Sequence, residues 1–239
     1  MLAAAAVHLL TGLGALCALF ATEAAIAGAF ERMFVWLGIA FVIDGIDGPI
    51  ARAIGVVERL PRFSGERIDL VIDYLTYVFV PVLALLVAGR IGPPAVAYTL
   101  AALVLLSSLF HFADVESKAD ELAFVGFPAI WNIAAFYVFA FEMSPGAVQL
   151  LILAGVVLTF VPMHWVHPVR VLALRPVTLI MTAAWAGAAA WAASVGFPAP
   201  WPARLLLGVC AVYGLALSIW LTFAARQRAP RAHSDSNNP

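Results

Sequence analysis

The sequence DGIDGPIAR occupies residues 44–52, and GERIDLVID occupies residues 65–73. Each stretch carries two aspartates beside long apolar runs, where ionised side chains are costly and usually functional. The two aspartates are three residues apart in the first stretch and four residues apart in the second. The aspartates are Asp44, Asp47, Asp69 and Asp73. Because residues three or four apart lie on one face of an α-helix, we expect two helices that each present a pair of carboxylates.

Residues with almost no side chain share these two faces. Gly48 and Ala51 fall within roughly 60° of the first aspartate on a helical projection, and Gly65 lies one turn before the third. Such a face can hold hard cations and lets a bulky anion approach the backbone closely. Arg52, one turn after Gly48, adds a fixed positive charge that suits a phosphate.

The four carboxylates predict a metal site. If they converge in an apolar protein, they repel one another strongly unless they are protonated or bound to metal. Carboxylate oxygens suit Mg²⁺ and Mn²⁺, so the aspartates are candidate ligands for one or two such ions. The alternative is a buried network of Asp–Arg ion pairs. The small residues shared by both helices favour the metal site, because an ion-pair network does not require them.

The composition indicates an integral membrane protein. Of the 239 residues, 64% are hydrophobic and 11% are charged, and the mean hydropathy is +1.00. Soluble domains carry about 25% charged residues. A net charge of −1 argues against a nucleic-acid partner. We expect one all-α domain in the membrane over residues 1–225, followed by a disordered cytoplasmic tail over residues 226–239.

Apolar runs of the length needed to cross a bilayer, about 20 residues, recur along the chain. Eight spans are predicted, at 6–28, 33–53, 67–88, 94–112, 124–142, 146–163, 176–194 and 203–224. The tail and the loops after even-numbered spans hold ten of the 13 Lys and Arg residues; the opposite loops hold Arg32, Arg90 and Arg204. Because cytoplasmic loops carry the excess of basic residues, both termini and the aspartates are predicted at the cytoplasmic face.

The two aspartate stretches together resemble the signature of the CDP-alcohol phosphotransferase family, DxxDGxxAR…GxxxDxxxD. Every fixed position matches, at Asp44, Asp47, Gly48, Ala51, Arg52, Gly65, Asp69 and Asp73. One departure is the gap of twelve residues at 53–64, which is longer than in most of the family. That gap resembles the bacterial branch that forms phosphatidylcholine. Within it we predict a short interfacial helix, with a plain basic loop as the alternative.

The resemblance implies a fold and a reaction. The fold is a six-helix core with two further helices at the C-terminus. The reaction transfers the phosphatidyl group of CDP-diacylglycerol to an alcohol and releases CMP. The enzyme is expected to be a multi-pass protein of the bacterial inner membrane with membrane lipid around it. Dimers are common in the family, so a homodimer is one option for an oligomeric state that the sequence leaves open.

The resemblance also implies roles for individual residues. The four aspartates would hold Mn²⁺ or Mg²⁺, while Gly48, Ala51, Gly65 and Arg52 would receive the CDP diphosphate. Asp73 is the implied general base, or the residue that orients the acceptor alcohol. Family members carry a polar pair near the nucleotide in the first span, which makes Thr11 a further candidate for CDP binding. A threonine that bonds its own helix backbone is the alternative for Thr11.

Choline is the predicted acceptor. The chain has few basic residues to bind a phosphate-bearing acceptor. A quaternary ammonium has no N–H to donate, so proteins hold it with aromatic faces and a nearby acid. Tyr77 and Trp131 are candidate walls of such a cage, and Asp114 or Glu66 is the candidate counter-charge. These aromatic residues could instead belong to an ordinary belt at the membrane interface.

Two alternatives to a choline transferase remain at this point. The same chemistry could use serine, glycerol 3-phosphate or inositol phosphate as the acceptor. Apolar spans with buried carboxylates also fit a cation-coupled transporter. A transporter would cluster its charges near the middle of the membrane, whereas the charges of this chain are predicted to cluster at one cytoplasmic edge, with Gly and Ala set between the aspartates. Their position favours the enzyme.

Overall fold

The computed structural model describes residues 1–114, 123–166 and 171–228. Its α-helices are α1 (Leu2–Ile26), α2 (Phe30–Ile54), α3 (Val56–Arg59), α4 (Gly65–Asp73), α5 (Val80–Val87), α6 (Pro94–Ala113), α7 (Trp131–Ala140), α8 (Pro145–Thr159), α9 (Arg175–Val195) and α10 (Trp201–Arg228). A π-helical segment, Tyr74–Phe79, joins α4 to α5 in one continuous helix, Gly65–Val87. Strands β1 (Ala123–Val125) and β2 (His164–Val166) form an antiparallel pair.

Six helices of the described residues are long and apolar enough to cross a membrane: α1, α2, the continuous helix Gly65–Val87, α6, α9 and α10. Two shorter apolar helices, α7 and α8, have 10 and 15 residues. At about 1.5 Å per residue, α7 is about half as long as the hydrocarbon core is thick. The prediction of a helical multi-pass membrane protein is therefore confirmed, whereas the count of eight spans stays a prediction.

The fifth and sixth predicted spans are wrong in extent. The run 124–142 begins as strand β1 and continues without helix until Trp131, and the run 146–163 leaves its helix after Thr159. Gly126 has a positive φ of 82°, and Pro128 cannot donate a backbone hydrogen bond. Together they keep residues 126–130 out of a helix although the run is apolar.

Hydrogen bonds near the loops show which connections between helices lie at the same end of the bundle. The N–H of Phe197 donates to Glu31 Oε1 at 3.2 Å, and the Gln149 side chain donates to the carbonyl of Ile91 at 2.8 Å. At the opposite end, β1 pairs with β2, and the N–H of Val166 donates to Ser218 Oγ at 3.1 Å. The bundle therefore runs up and down, and the aspartate stretches lie toward the end that holds the β-strands.

The segments on either side of the aspartates end in specific caps. Gly55 terminates α2 with a φ of 68°, a left-handed conformation that glycine adopts without strain. Ser64 begins α4 and accepts a hydrogen bond from the N–H of Arg67. Between them a short helix is present, α3, which has four residues, whereas its predicted position in the membrane interface stays a prediction. At the other terminus α10 continues to Arg228, three residues into the predicted tail, and residues 229–239 lie outside the described residues.

Candidate active site

A narrow cavity lies between α1, α2 and the continuous helix Gly65–Val87, and all four predicted aspartates line it. Its lining residues are Thr11, Gly14, Ala40, Ile43, Asp44, Asp47, Asp69, Ile72, Asp73 and Thr76. Helical periodicity places the carboxylates there, because each aspartate pair occupies one face of its helix. The convergence predicted from the two sequence stretches is thus present in the fold.

Three of the four carboxylates form a compact cluster. Asp44, Asp47 and Asp69 each offer an oxygen within 4.8 Å of the other two. Asp47 is buried, whereas Asp44 and Asp69 are half-buried. Asp73 is half-buried on the same cavity but lies outside the cluster. The arrangement separates three mutually close carboxylates from a fourth that stands one helical turn away.

The chemistry of this cluster fits a divalent cation. Mg²⁺ and Mn²⁺ take hard oxygen ligands, and three anionic oxygens in a partly dehydrated cavity gain much from a positive charge between them. Opposite ligands of an octahedral ion at about 2.1 Å lie about 4.2 Å apart. Oxygens within 4.8 Å of one another can reach that spacing through small side-chain rotations. Asp44, Asp47 and Asp69 therefore suit the ion, and the fit does not distinguish Mg²⁺ from Mn²⁺.

A tyrosine hydroxyl contacts the cluster directly. Tyr77 Oη donates to Asp44 Oδ2 at 2.6 Å, a short bond of the kind that an ionised acceptor makes. Tyr77 is buried, and its ring lies 6.2 Å from that of Phe41, one turn before Asp44 on α2. The sequence predicts Tyr77 as a wall of the choline cage, whereas in the structure its hydroxyl has a partner within the three-carboxylate cluster.

Arg52 and Gly48 are placed as their spacing predicts. The guanidinium folds back along α2, so that a Cβ on Gly48 would lie 3.4 Å from Arg52 Nη1. Arg52 is exposed at the end of the helix, where a negatively charged ligand can reach it. Ala51 is half-buried and packs against the cluster formed by Ala4, Val7 and Val56 instead of lining the aspartate cavity.

The contact between α1 and α4 involves two further predicted residues. A Cβ on Gly65 would lie 3.2 Å from His8 Cε1, so the glycine permits a close approach of the two helices. Thr11, one turn after His8, lines the cavity, and its hydroxyl donates to the carbonyl of Val7 at 3.2 Å. The alternative for Thr11, a bond to its own helix backbone, is therefore present together with its position at the site.

Sequence reasoning overlooked several residues of the cavity. Gly14 lies one turn after Thr11, and a Cβ there would be 2.5 Å from Ile72 Cγ2. Thr76 is buried one turn after Asp73, and its hydroxyl donates to the carbonyl of Ile72 at 2.9 Å. Extending the face of Asp69 and Asp73 by one helical turn would have identified Thr76, and extending the face of Thr11 on α1 by one turn would have identified Gly14.

The remaining acceptor candidates do not line the cavity. Trp131 is buried, donates its indole N–H to Ser108 Oγ at 2.9 Å and fits against Gly155. Asp114 is exposed after the end of α6, and Glu66 is exposed in the first turn of α4. An acid in a first turn also interacts favourably with the helix dipole. The choline-binding roles of these three residues stay predictions.

Comparisons with known proteins show which family the chain belongs to. A phosphatidylcholine synthase of Bradyrhizobium diazoefficiens is 42% identical over 93% of this chain and 80% of its own. Proteins of the same name from Agrobacterium fabrum and Pseudomonas aeruginosa are 41% and 39% identical, over 81% and 75% of this chain and 80% and 75% of their own. No protein-family model matches the chain. With such identity over most of both sequences, this chain belongs to the phosphatidylcholine synthase family.

Proposed function

We propose that this chain transfers the phosphatidyl group of CDP-diacylglycerol to choline, giving phosphatidylcholine and CMP, and that the aspartate cavity is its active site. The observation that carries the proposal is the convergence of four carboxylates from two helices in one cavity. Relatives named phosphatidylcholine synthase, matched over most of the chain, support the reaction. The complete aspartate signature supports membership of the wider CDP-alcohol phosphotransferase family.

The three clustered carboxylates hold the metal in this proposal. Asp44, Asp47 and Asp69 are the ligands, and Asp73 joins them if a second ion binds. A bound Mg²⁺ or Mn²⁺ neutralises the diphosphate and the charge that develops on the leaving CMP. Arg52 contacts a phosphate from the open end of α2. Gly48 leaves the backbone of α2 accessible for CDP in this proposal, and Thr11 closes the side of the cavity formed by α1. Gly65 and Ala51 do not line the cavity, and their CDP-binding roles stay predictions.

Asp73 acts on the acceptor. Asp73 lines the same cavity one helical turn beyond Asp69 and outside the three-carboxylate cluster, a position that suits a residue acting on the choline hydroxyl beside the metal. As the hydroxyl oxygen bonds to the lipid-side phosphorus, the bond from that phosphorus to the oxygen of CMP breaks, and CMP departs with the electron pair. Asp73 accepts the hydroxyl proton or orients the hydroxyl for attack. Positioning and charge neutralisation supply most of the catalysis in such a transfer.

The location follows from the substrates. The lipid chains must remain in hydrocarbon while CMP leaves to water, so a cavity toward one end of the bundle suits both. In this proposal that end faces the cytoplasm in a bacterial inner membrane, and the excess of basic residues in the corresponding loops supports this orientation. Residues 1–225 act as one catalytic domain in this proposal, with the helices up to α8 as its core and α9 and α10 as additions.

The experiment that tests the function is CMP release from CDP-diacylglycerol by the purified full-length protein. Choline, serine, glycerol 3-phosphate and inositol phosphate are compared with Mn²⁺ present and after chelation. We expect release with choline alone, and only with metal. Release with a different acceptor would refute the choline assignment, and release after chelation would refute the metal site.

Asp47→Asn gives the matched variant for this assay, because it keeps the side-chain volume and removes one anionic oxygen. Outer-shell partners of a metal typically contribute roughly 10–100-fold to affinity or activity, so the loss of a direct ligand should exceed that range. Gly45→Ala is the control, since a Cβ at Gly45 would have no atom within 4 Å. Full activity in Asp47→Asn would contradict the assignment of the cluster as the metal site.

A further inference from the structure

The helix that carries Asp69 and Asp73 changes its winding directly after Asp73. Residues Tyr74–Phe79 form a π-helical segment, and α-helix resumes at Val80. Isolated π-helical turns inside α-helices are rare and are frequently found at functional sites. The sequence of this segment, YLTYVF, contains no Gly or Pro. Pro81 follows it in the same continuous helix and cannot donate a hydrogen bond to the carbonyl of Tyr77, four residues earlier, so the proline favours the change of winding at this place.

The wider turn changes the direction of Tyr77. In an α-helix four residues rotate by about 400°, so each step from Asp69 to Asp73 to Tyr77 would drift about 40° around the axis. A π-helical turn closes from residue i to residue i+5 and holds more than four residues, so its four-residue step rotates by less than a full circle. The drift is reversed, and Tyr77 returns to the face of the helix that carries Asp69.

Contacts on both sides hold Tyr77 in this direction. Its ring lies beside Phe41 on α2, with the ring centroids 6.2 Å apart, and its hydroxyl reaches Asp44 Oδ2 at 2.6 Å. At the other end of the same segment, Tyr74 Oη donates to the carbonyl of Leu105 on α6 at 3.0 Å. The π-helical segment is therefore bonded to α6 through Tyr74 and to α2 through Tyr77.

The bond to Asp44 has a direct consequence for the cluster. A tyrosine O–H that donates to one carboxylate oxygen fixes the rotation of the carboxylate and occupies one oxygen. Hydrogen-bond donors behind metal ligands orient those ligands, and their removal typically costs roughly 10–100-fold in metal affinity or activity. The donor also lowers the electrostatic cost of three anionic groups that lie within 4.8 Å of one another.

We propose that Tyr77 is a positioning residue for the metal cluster: through the π-helical turn its hydroxyl holds Asp44 in the orientation that completes the site with Asp47 and Asp69. This inference rests on the metal site of the proposed function. It differs from the cage role that the sequence predicts for Tyr77, because the tyrosine acts on a ligand of the metal and not on choline.

The test measures Mn²⁺ binding to the purified full-length protein without substrate, by the electron paramagnetic resonance signal of free Mn²⁺. Tyr77→Phe removes only the hydroxyl. We expect its Mn²⁺ dissociation constant to rise roughly 10–100-fold, with the choline KM unchanged at saturating Mn²⁺. Tyr74→Phe is the control, because it removes a tyrosine hydrogen bond from the same π-helical segment without touching an aspartate; its Mn²⁺ affinity should equal that of the wild type.

Each contrary outcome has a distinct meaning. Unchanged Mn²⁺ affinity in Tyr77→Phe with a raised choline KM would overturn the positioning role and favour the cage. Equal losses of Mn²⁺ affinity in Tyr77→Phe and Tyr74→Phe would show that the segment acts only through folding, which also overturns it. Suppose that Mn²⁺ binding is weakened in Tyr77→Phe and not in Tyr74→Phe, while the wild-type protein releases no CMP with choline. This result would retain the positioning role of Tyr77 and refute the proposed function.

Discussion

Gly14→Ala offers a sharp test of how the cavity is closed. The added Cβ would lie 2.5 Å from Ile72 Cγ2 and 3.7 Å from Ile72 Cδ1. Carbon atoms in contact prefer about 3.5–4.0 Å, so the first distance is short by about 1 Å. Ile72 is buried and lies between Asp69 and Asp73 on the helix face. Relief therefore requires α1 to move away from the helix that carries two of the carboxylates.

Overpacking of a well-packed core by added carbon atoms costs about 1–3 kcal/mol. For a chain of this size, a change of 1 kcal/mol shifts the melting temperature by roughly 2–4 °C, so we expect Tm to fall by roughly 2–12 °C. A displacement of about 1 Å at reacting groups costs about 100-fold in rate. Thermal unfolding in detergent and CMP release with choline measure the two effects separately.

Gly12→Ala is the matched control, because a Cβ at Gly12 on the same helix would have no atom within 4 Å. A second substitution identifies the contact. Ile72→Ala removes both contacting atoms, so adding Gly14→Ala to the Ile72→Ala variant should lower its Tm little. Ile72→Val keeps Cγ2, so adding Gly14→Ala to the Ile72→Val variant should lower its Tm almost as much as it does in the wild type. If Gly14→Ala and Gly12→Ala have equal stability and activity, the close approach of α1 does not define the cavity.

Two other substitutions test residues at the edge of the site. Trp131→Phe removes the indole N–H whose hydrogen bond Ser108 Oγ accepts, and it leaves a buried hydroxyl without that donor. We therefore expect the free energy of unfolding to fall by about 1–3 kcal/mol, with an unchanged choline KM. A raised choline KM at full stability would instead support a cage role. Arg52→Lys keeps the charge but loses the planar fork that suits a phosphate, so the KM for CDP-diacylglycerol should rise while Tm stays the same; an unchanged KM would exclude Arg52 from diphosphate binding.

The sequence predicted the aspartate cavity well because its geometry depends on local helical periodicity. The spacing within each stretch determines which residues share a face, and the small residues mark the helix surfaces that approach other groups. Gly48 beneath the Arg52 guanidinium follows from that spacing, whereas the contact of Gly65 with His8 of α1 is a tertiary contact that the spacing does not specify. Burial of Asp47 inside an apolar bundle was likewise foreseeable, because both stretches adjoin runs long enough to cross a bilayer.

The partner of Tyr77 could not be predicted in the same way. A helical projection assumes one rotation per residue, and the π-helical segment at Tyr74–Phe79 breaks that assumption. Tertiary contacts with Phe41 and Asp44 stabilise the altered winding. Because these contacts join residues more than thirty positions apart, no local pattern in the sequence indicates them.

The fifth span was predicted incorrectly for a different reason. Hydropathy alone extends an apolar helix through residues 124–130, although Gly126 and Pro128 are visible breakers within it. Gly126 needs its positive φ, and a Cβ there would lie 2.5 Å from the carbonyl oxygen of Thr159. The breakers deserved more weight than the apolar composition, since an apolar residue can be buried in a strand or a turn as well as in a helix.

The cavity combines two requirements that usually conflict in an apolar bundle. Small residues of α1, including Ala18, Ala21 and Ala24, are buried at its helix contacts, an arrangement that lets backbones approach closely in membranes. The same close packing excludes water, which raises the cost of several carboxylates in one place. Clustering the aspartates toward one end of the bundle, with the Tyr77 hydroxyl as a donor to Asp44 and, in the proposed site, a cation between them, would reconcile the two. Loss of the hydroxyl should then weaken metal binding, whereas loss of the close approach at Gly14 should also lower stability, so the two substitutions separate charge compensation from packing.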